Sequence, residues 1–389
     1  MTRPARLEIS LCKVVDFEAL AELWRDLERR ADGSFFQSWA WTGCRAAERF
    51  CDPLLLTARE GGVTIAAALF NRRLRPLRPP TLWLGESGAR RYDDIFIEHN
   101  GILIERGRPR SLLALCLQEA MGGAIGAARR PRRRRLVISG VDEDHVMAAR
   151  ELGCAVHIRD MRPAPFVDLE ALRRSGRGAL DNASRNTRYQ IRRSERRYRA
   201  LGPLVIRRAG SLAEAQDFLS GLRRLHQASW AGRGRPGAFA NPEFERFHRT
   251  LIDRSFAAGG TDLLRVTAGE HVVGYLYNLS YRGHVYAYQS GFDYSLADGQ
   301  RKPGLLCHYL AIEMYRAEGA RRYDFLAGAD RYKLSLATGS VDLHWLEIGR
   351  RGGLAPAAAA LAARLLHRLP GIWQRVGRER RRLERCQNV

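Results

Sequence analysis

The residues best suited to chemistry form one short basic stretch, Arg301-Lys302-Pro303-Gly304, between a strand-like and a helix-like segment. The first N–H groups of a helix have no partner within it and lie at the positive end of its dipole, so a helix that begins here offers an anion-binding site. Pro303 suits the first turn because its missing N–H costs nothing there, and Gly304 lets a phosphate approach the backbone closely. With Arg301 and Lys302 alongside, the stretch is predicted to bind a phosphate or pyrophosphate group.

The segments on either side of this stretch predict the strands and helices that position it. Hydrophobic patterning favours antiparallel strands over residues 262–267, 271–280 and 285–292, a helix from Pro303, a strand over 321–326 and a helix start near Asp330. Helices are predicted before them, over residues 212–230 and 243–256. An antiparallel meander therefore leads into a strand-helix-strand unit that carries the basic loop.

The first half of the chain has a similar order of predicted strands and helices but lacks the basic loop. A strand at residues 7–14, a helix at 17–30 and a hairpin around Gly61-Gly62 precede alternating helices and strands up to residue 158. Such alternation indicates α/β layers. We interpret this half as a degenerate copy that supports the active one, with a boundary near Arg162-Pro163-Ala164-Pro165.

Several motifs of the second half resemble the GNAT acetyltransferase superfamily. Residues 301–306 (RKPGLL) are similar to the Q/R-x-x-G-x-G/A loop that holds the pyrophosphate of acyl-CoA there, with Leu306 in place of the final Gly or Ala. The wider segment from about residue 166 to 353 resembles the tandem-GNAT branch that contains CelD-type acyltransferases of cellulose biosynthesis and, more distantly, the FemAB peptidyltransferases. The motifs that carry this resemblance are, in order, SRNTRYQIRRSERR, LHQASW, YQSGFD and YDFLAGADRYK.

The resemblance implies an α/β (α+β) fold of two tandem GNAT-like domains, each a mixed, mainly antiparallel sheet flanked by helices. We assign residues 1–162 to a degenerate N-terminal domain, 163–353 to the acetyltransferase domain and 354–389 to a C-terminal helix and basic tail. It also implies acetyl-CoA or another acyl-CoA as cosubstrate. The expected binding loop consists of Arg301, Lys302, Gly304 and Leu305.

Acyl transfer from a thioester needs groups that polarise its carbonyl and groups that handle protons. Backbone N–H groups at Gln289, Ser290 and Gly291 are candidates for the first task, because a bulged strand leaves donors free of the ladder. In GNAT proteins a splayed strand at this place holds the pantetheine arm. The resemblance also places Tyr332 where these enzymes often carry the tyrosine that reprotonates the departing thiolate, and an ordinary half-buried tyrosine is the alternative.

The general base is sought among the histidines, since only histidine titrates near neutrality without help. His226 ranks first because it lies one turn before Trp230 and the loop of Arg233, whereas His308 and Asp293 rank behind it. A structural or surface role is the commoner fate of a lone histidine on a helix.

The acceptor site is expected on the same edge of the sheet. Asp324 and Lys333 either orient an acceptor amine there or pair with each other. The full set predicted to bind the acceptor is Trp230, Arg233, Tyr288, Asp293 and Lys333.

Two further stretches allow a functional or a structural interpretation. In SFFQSWAWTGC (residues 34–44), Trp39 and Trp41 could stack on a sugar or acyl chain, but a helix start anchored in the core is the preferred interpretation. The arginine-rich helix predicted over residues 180–199 contacts a polyanion or is a solvated face that packs through Tyr198 and Ile191.

Composition narrows the class of protein. The net charge of +23 favours anionic partners, and an arginine-preferring genome explains it equally well, since Lys13, Lys302 and Lys333 are the only lysines. The seven scattered cysteines predict neither a zinc site nor a disulfide framework, so no metal is expected. Together with an N-terminus that lacks an apolar core, they predict a cytoplasmic protein. The tail at residues 370–389 predicts either a basic segment for an anionic membrane surface, at the inner membrane face, or a frayed end.

The sequence thus predicts an acyltransferase that moves an acyl group from acyl-CoA to an amine or hydroxyl, on a small molecule or a glycan precursor such as a sugar nucleotide. No nucleophile elbow, Walker loop or dinucleotide fingerprint is present in the sequence. Two alternatives stay open: FemAB-like transfer of an aminoacyl group from charged tRNA, and a GNAT fold that has become a non-catalytic binding protein.

Overall fold

The computed structural model describes residues 6–74, 80–122, 134–296 and 300–349. Within these ranges the strands are β1 Leu7–Lys13, β2 Pro53–Glu60, β3 Val63–Arg73, β4 Thr81–Leu84, β5 Leu103–Ile104, β6 Arg135–Val141, β7 Ala155–Asp168, β8 Leu204–Arg208, β9 Thr261–Ala268, β10 His271–Tyr281, β11 His284–Phe292, β12 Arg322–Asp324 and β13 Gly339–Gly349. The α-helices are α1 Phe17–Arg30, α2 Trp39–Arg49, α3 Arg90–Asp93, α4 Ser111–Ala120, α5 Glu143–Glu151, α6 Leu169–Arg174, α7 Arg185–Arg199, α8 Leu212–Ala231, α9 Pro242–Ser255, α10 Pro303–Ala317 and α11 Arg331–Leu336.

Side-chain caps fix where the helices of the second half begin. Ser211 accepts the N–H of Glu214 at the start of α8, and Asn241 accepts that of Glu243 at the start of α9. Neither α10 nor α11 has such a cap, and at α10 the residue before the helix is Lys302, which gives no side-chain hydrogen bond to the first turn. The start of α10 therefore keeps the uncompensated positive end of a helix dipole.

All the described strands belong to one sheet, in the order β1-β2-β3-β4-β6-β13-β7-β12-β11-β10-β9-β8, with β5 attached to β3. Each half contributes an antiparallel meander that ends in one parallel pair. In the first half this is β2-β3-β4 followed by β6, and in the second half it is β9-β10-β11 followed by β12. The predicted fold class is confirmed, and the internal repeat extends to the sheet topology.

The two halves exchange their last strands. β7 follows β6 in the chain but pairs with β12, whereas β13 follows β12 but pairs with β6. β7 and β13 also pair with each other, and Arg162 lies opposite Leu343. The boundary proposed between residues 162 and 163 therefore lies within β7, a strand that both halves share.

The core between the halves is aromatic. Trp41 is completely buried, and its ring lies 5.2 Å from that of Phe247 and 5.9 Å from that of Tyr288. The preferred interpretation of the SFFQSWAWTGC stretch, a helix start anchored in the core, is confirmed for Trp41. Side chains alternate along β11: Tyr286 and Tyr288 face this core with α8 and α9, whereas Val285 lies in the core under α10.

Most predicted elements occur at or near the expected residues, and three differences stand out. The DIFIE run (residues 94–98) has the apolar pattern of a strand but is irregular, with Ile95 and Ile97 buried in the aromatic core. β12 is shorter than expected because the chain turns at Leu326, which has a φ of 62°. The apolar runs at residues 155–158 and 166–168, on either side of the proposed boundary, belong to the single strand β7.

Some predictions fall on residues beyond the described ranges. The C-terminal helix and basic tail (residues 354–389) and most of the basic run at residues 129–135 lie outside them. Among the described residues, no helix combines the length and apolar character needed to cross a bilayer.

Candidate active site

The basic stretch forms the loop that leads into α10. The backbone N–H of Lys302 donates to Oγ of Ser194 on α7 at 2.9 Å. Nη1 of Arg301 donates to the carbonyl of Leu296 at 3.2 Å. The loop is therefore attached to the arginine-rich helix on one side and braced by its own arginine on the other.

The packing of residues 304–306 accounts for the residue types found there. A Cβ at Gly304 would lie 3.0 Å from Cε2 of Phe292, so the missing side chain leaves room for this ring at the helix start. Leu305 is half-buried. Leu306 is completely buried in the core under α10. Leu306 stands where GNAT loops usually have Gly or Ala, and it packs into the core beneath the loop.

β11 and β12 form the parallel pair beside this loop, and they separate after three residue pairs. The pairing runs from His284 and Arg322 to Tyr286 and Asp324. β11 then continues to Phe292, and β10 is the strand of the described part that stays paired with it. The strands thus enclose a wedge that opens toward the α10 loop. We call its closed end, at Tyr286 and Asp324, the apex.

A bulge lies just beyond the apex. Tyr277 pairs with Gln289 and Asn278 pairs with Ala287, so Tyr288 has no opposite residue on β10. Tyr288 was predicted to bind the acceptor, yet only 4% of its surface is exposed. Its hydroxyl accepts the N–H of Phe96 from the first half at 3.2 Å. Its position is in the aromatic core, beneath the wedge.

Tyr332 lies at the open end of the wedge. Its ring stacks on that of His308 at 5.1 Å, and Phe292 and Phe325 lie edge-on to the same imidazole. Burial, followed by the nearby charge of Asp330, raises the pKa of Tyr332. The phenol is therefore protonated at neutral pH and able to donate a proton.

His308 is held neutral in this aromatic surrounding. Nδ1 of His308 lies 2.9 Å from the hydroxyl of Tyr323. Burial, with a smaller effect of the Lys333 charge, lowers the pKa of His308 to about 3. An imidazole with such a pKa is a poor proton acceptor near neutrality.

His226 joins α8 to β11. Its Nδ1 lies 3.1 Å from the carbonyl of Ser290, and its Nε2 accepts the N–H of Ala238 at 3.3 Å. Burial lowers the pKa of His226. Both ring nitrogens are used within the protein, so the geometry assigns this histidine a positioning contact.

Gly291 lies at the same contact between α8 and β11, which we call the joint. A Cβ at Gly291 would lie 2.3 Å from the carbonyl oxygen of Leu222, which means that only glycine allows α8 to approach β11 this closely. The N–H of Ser290 donates to Oε1 of Gln289 at 3.0 Å. Of the three residues expected to polarise a thioester, Ser290 thus has its donor occupied by a neighbouring side chain.

The remaining predicted acceptor residues surround the end of β11. Trp230 is half-buried, and the exposed Arg233 places its guanidinium 5.6 Å from the Trp230 ring. Asp293 accepts the N–H of Ser295 at 2.7 Å and lies 3.4 Å from Nε2 of His271. Asp293 therefore shapes the turn after β11.

A group of buried ionisable side chains lies at the apex. Asp324 is completely buried, and its Oδ2 lies 3.2 Å from Nε2 of His99, a residue of the first half. Oδ1 of Asp324 accepts the N–H of Leu326 at 2.8 Å. Burial is the largest single influence and lowers the pKa of His99, but the charge and proximity of Asp324 and the charge of Glu98 together outweigh it, so the pKa is raised.

Lys333 and Glu98 hold the turn that follows β12. Nζ of Lys333 donates to the carbonyls of Ala327 at 2.9 Å and Leu326 at 3.3 Å. Glu98 accepts the N–H of Ala327. Burial lowers the pKa of Lys333 and raises that of Glu98. Both predicted residues of this region, Asp324 and Lys333, thus bind backbone groups of the turn instead of each other.

A cavity of about 420 Å³ adjoins the apex between the two halves. Its lining includes His99, Asp324, Tyr286, His284 and Arg322. The side chains of Tyr286 and Asp324 thus face a space large enough for a small molecule, on the face of the sheet opposite α10.

The sequence did not predict His99 and Glu98, because their contacts cross from one half to the other. The local signal was the Glu98-His99-Asn100-Gly101 turn, in which His99 has a φ of 47°. A histidine in the left-handed region is uncommon and marks a constrained position. Among the described residues, no group of His, Cys, Asp or Glu side chains has the arrangement of a metal site.

Comparisons with known proteins agree with this geometry. Residues 185–334, from α7 to α11, match the family model described as the acetyltransferase (GNAT) domain. No curated protein is significantly similar to the chain.

Solved structures share the fold over both halves. FemX is 11% identical, with a TM-score of 0.56, over 88% of this chain and 96% of its own. The C-terminal domain (DUF2156) of a putative lysylphosphatidylglycerol synthetase from Agrobacterium fabrum is 12% identical, with a TM-score of 0.52, over 90% of this chain and 98% of its own. A conserved protein of unknown function from Bacteroides thetaiotaomicron is 9% identical, with a TM-score of 0.51, over 88% of this chain and 100% of its own.

The wedge, the uncapped start of α10 and the apex all lie within the matched residues. Residues 185–334 are therefore similar to the acetyltransferase (GNAT) domain, and the two halves together share the fold of FemX.

Proposed function

We propose that this protein transfers an acyl group from acyl-CoA to an amine or hydroxyl acceptor at the apex of the wedge between β11 and β12. The observation that carries the proposal is the position of this apex. Its Tyr286 and Asp324 line the cavity on one face of the sheet, and the wedge opens toward the uncapped start of α10. A donor and an acceptor that approach from opposite faces would meet there.

The donor is held by its phosphates. The first-turn N–H groups of α10 and the cations of Arg301 and Lys302 would bind the pyrophosphate. The pantetheine arm would then follow the free edge of β11 toward the apex, with the thioester near the bulge at Tyr288. Such positioning lowers the barrier because the reacting groups no longer have to meet by diffusion.

The His99–Asp324 pair would act as the general base. Asp324, 3.2 Å from Nε2 of His99, stabilises the charged imidazole when His99 takes the proton from the acceptor, which attacks the thioester carbon. The bond from acceptor to carbonyl carbon forms as the C–S bond breaks. The Tyr332 hydroxyl then protonates the departing thiolate. His99 thus accepts the proton of the acceptor, and Tyr332 supplies the proton of the thiol.

The test is a thermal-shift titration with acetyl-CoA and longer acyl-CoAs. We expect the wild type to be stabilised, since a ligand that binds only the folded state raises the free energy of unfolding. Arg301→Glu should lose this stabilisation. The control is Arg224→Glu, which makes the same change in net charge at an exposed position of α8. Absence of any shift in the wild type with every acyl-CoA would overturn the proposal.

A second candidate is aminoacyl transfer from charged tRNA, as in the FemAB proteins that the sequence resembles. The observation in its favour is that α7, whose arginines 185, 192, 196, 197 and 199 are exposed, is attached to the α10 loop. Arg197 donates to Oε1 of Gln300 at 2.7 Å, and Ser194 binds Lys302. This candidate requires RNA binding that weakens steeply with salt. The acceptor expected from the resemblance, a cytoplasmic sugar nucleotide or polysaccharide precursor, stays a prediction.

A further inference from the structure

The cavity beside the apex has an acidic lining in a strongly basic protein. Its arginine is Arg322, its histidines are His99, His145 and His284, and its aspartates are Asp32, Asp142, Asp144, Asp324 and Asp342. The whole chain, by contrast, carries a net charge of +23. This local reversal of charge is the feature that calls for an explanation.

Partners at the cavity rim compensate only part of this negative charge. Asp32 pairs with Arg106 and Asp144 pairs with Arg110. Asp342 is exposed at the cavity edge on β13, and it has no ion pair within the described part of the chain. A carboxylate at the mouth of the cavity is thus available to a cation.

Three of the four basic side chains that line the cavity are engaged by neighbouring groups, and His99 is one of them because Asp324 lies 3.2 Å away. The guanidinium of Arg322 lies 3.8 Å from the centre of the Phe166 ring and keeps its charge in this cation–π contact. Burial, followed by repulsion from Arg322 and Arg321, lowers the pKa of His284, which is therefore neutral near pH 7. His145 is held by Asp142 at 2.7 Å and by the N–H of Ile102 at 3.3 Å.

Asp324 supplies a second, independent sign of a ligand. It is completely buried and lines the cavity, but its Oδ2 receives no well-aligned hydrogen bond from any described residue. The contact with His99 at 3.2 Å is close in distance but poorly aligned. A buried carboxylate oxygen without a donor is costly, and a ligand N–H would satisfy it.

We propose that the cavity binds the acceptor as a small organic cation, namely a primary amine that carries a second positive charge. This assignment rests on the proposed acyl transfer and specifies its acceptor. The second cation is held by the carboxylates at the mouth, including Asp342, while the reactive nitrogen lies at the apex beside Asp324 and His99. The same lining repels a diphosphate, so a sugar nucleotide is the wrong acceptor for this cavity.

The reaction balances with this acceptor. The ammonium group gives one proton to His99, and the free amine attacks the thioester carbon. A C–N bond forms, the C–S bond breaks and the nitrogen loses its second proton. Of these two protons, one replaces the proton that Tyr332 gives to the thiolate and the other goes to solvent. The products are an amide and the CoA thiol.

A series of acceptors with one carbon skeleton tests the charge requirement. The probes are 1,4-diaminobutane, 4-amino-1-butanol and 4-aminobutanoate, which differ in net charge at the end remote from the reacting amine, together with UDP-glucosamine. Binding of each to the full-length protein is measured by calorimetry at low ionic strength without any acyl donor. We expect the diamine to bind at least about tenfold more tightly than 4-aminobutanoate, since charges of opposite sign replace charges of like sign.

Asp342→Asn locates the binding in this cavity. We expect it to raise the dissociation constant of the diamine about threefold or more and to leave that of the amino alcohol nearly unchanged. The control is Asp217→Asn, which removes an exposed aspartate of α8 far from the cavity lining. Equal affinity for all three amines, tighter binding of UDP-glucosamine, or no effect of Asp342→Asn would each overturn the inference.

The calorimetry is independent of the donor, so the two proposals fail separately. If acyl-CoAs give no thermal shift but the diamine binds as expected, the acyl-CoA reaction is wrong and the cation site stands. If acyl-CoAs bind but the diamine does not, the acceptor assignment alone is wrong.

Discussion

His99 and Asp324 join the two halves of the molecule at the point where β11 and β12 separate. Nε2 of His99 lies 3.2 Å from Oδ2 of Asp324. The histidine is fixed in a left-handed conformation, with a φ of 47°, and its carbonyl accepts the hydroxyl of Ser34 at 2.5 Å. A residue of the apparently degenerate half thus completes the proposed site of the half that carries the GNAT motifs.

The first prediction concerns the pH dependence of acyl transfer. His99 must be neutral to act as a base, and its pKa lies above the ordinary 6.5 because Asp324 favours the charged form over the effect of burial. The log of kcat/KM should therefore rise with pH through a pKa above about 6.5. Asp324→Asn removes the carboxylate and leaves burial to act alone, so the acid limb should move to lower pH while the plateau falls. Both changes are read from pH–rate profiles.

The contribution of the His99–Asp324 pair to the free energy of unfolding should change with pH in the opposite direction to kcat/KM. A pKa raised on folding means that the pair stabilises the folded state fully below about pH 6.5 and loses this contribution as the pH rises through the raised pKa. Asp217→Asn is the control because it removes an exposed aspartate of α8 that does not line the cavity. An acid limb that stays in place in Asp324→Asn would mean that a different group is titrating, with Glu98, His284, Lys333 and Arg322 as the charged or titratable neighbours.

The second prediction concerns the joint between α8 and β11. Gly291→Ala would place a methyl group 2.3 Å from the carbonyl oxygen of Leu222, and neither backbone can move without disturbing the wedge. We expect the free energy of unfolding to fall by about 1–3 kcal/mol, as for an overpacked site. Gly210→Ala is the matched control, since its Cβ would contact only a flexible Glu214 carboxylate at 3.7 Å. Equal stability of the two variants in urea titrations would contradict the close approach.

The sequence predicted well what depends on local patterning. The helix at residues 17–30, the hairpin around Gly61-Gly62 and the start of α10 at Pro303 occur where capping, periodicity and turn residues placed them. Leu306 departs from the Gly or Ala of the similar GNAT loop, and its side chain packs in the core. The local rules succeeded because these elements are specified by residues close together in the chain.

The parts that the sequence did not predict depend on contacts between distant segments. The exchange of β7 and β13 is invisible to periodicity, because both strands keep an ordinary pattern whichever neighbour they pair with. His226 was predicted as a base from its neighbours on α8, whereas its ring nitrogens are held by Ser290 and Ala238 from other elements. His99 went unnoticed for the same reason, since Asp324 lies far away in the chain.

The third prediction concerns a buried arginine of the first half. Arg45 is 4% exposed, and its Nε and Nη2 have no hydrogen-bond partner among the described residues. Burial lowers its pKa to about 10. Because a buried charge whose N–H groups lack hydrogen bonds is costly, we expect Arg45→Met to raise the free energy of unfolding by about 1–4 kcal/mol. Thermal and urea unfolding measure this directly.

Arg49, one turn later on α2, is the matched comparison because its methionine variant should change the free energy of unfolding in the opposite direction. It donates to the carbonyls of Tyr92 and Glu243, the second at 2.7 Å, and lies 4.2 Å from the centre of the Phe247 ring. Arg49→Met would leave two carbonyls without donors, so a loss of about 1–3 kcal/mol is expected. If both methionine variants destabilise the protein alike, Arg45 has a partner that its surroundings do not reveal.

The last prediction concerns Lys333 and Glu98, which hold the turn after β12 from opposite sides. Lys333→Met leaves the carbonyls of Leu326 and Ala327 without a donor and removes the cation that opposes the charge of Glu98, so about 3 kcal/mol of stability should be lost. Glu98→Gln keeps an acceptor for the N–H of Ala327 and should cost less. In the double variant no buried carboxylate is left uncompensated, so its loss should be smaller than the sum of the single losses by about 0.5–3 kcal/mol. Additive losses in a double-mutant cycle of urea titrations would show that the two side chains hold the turn independently, whereas coupling would identify them as one buried electrostatic unit.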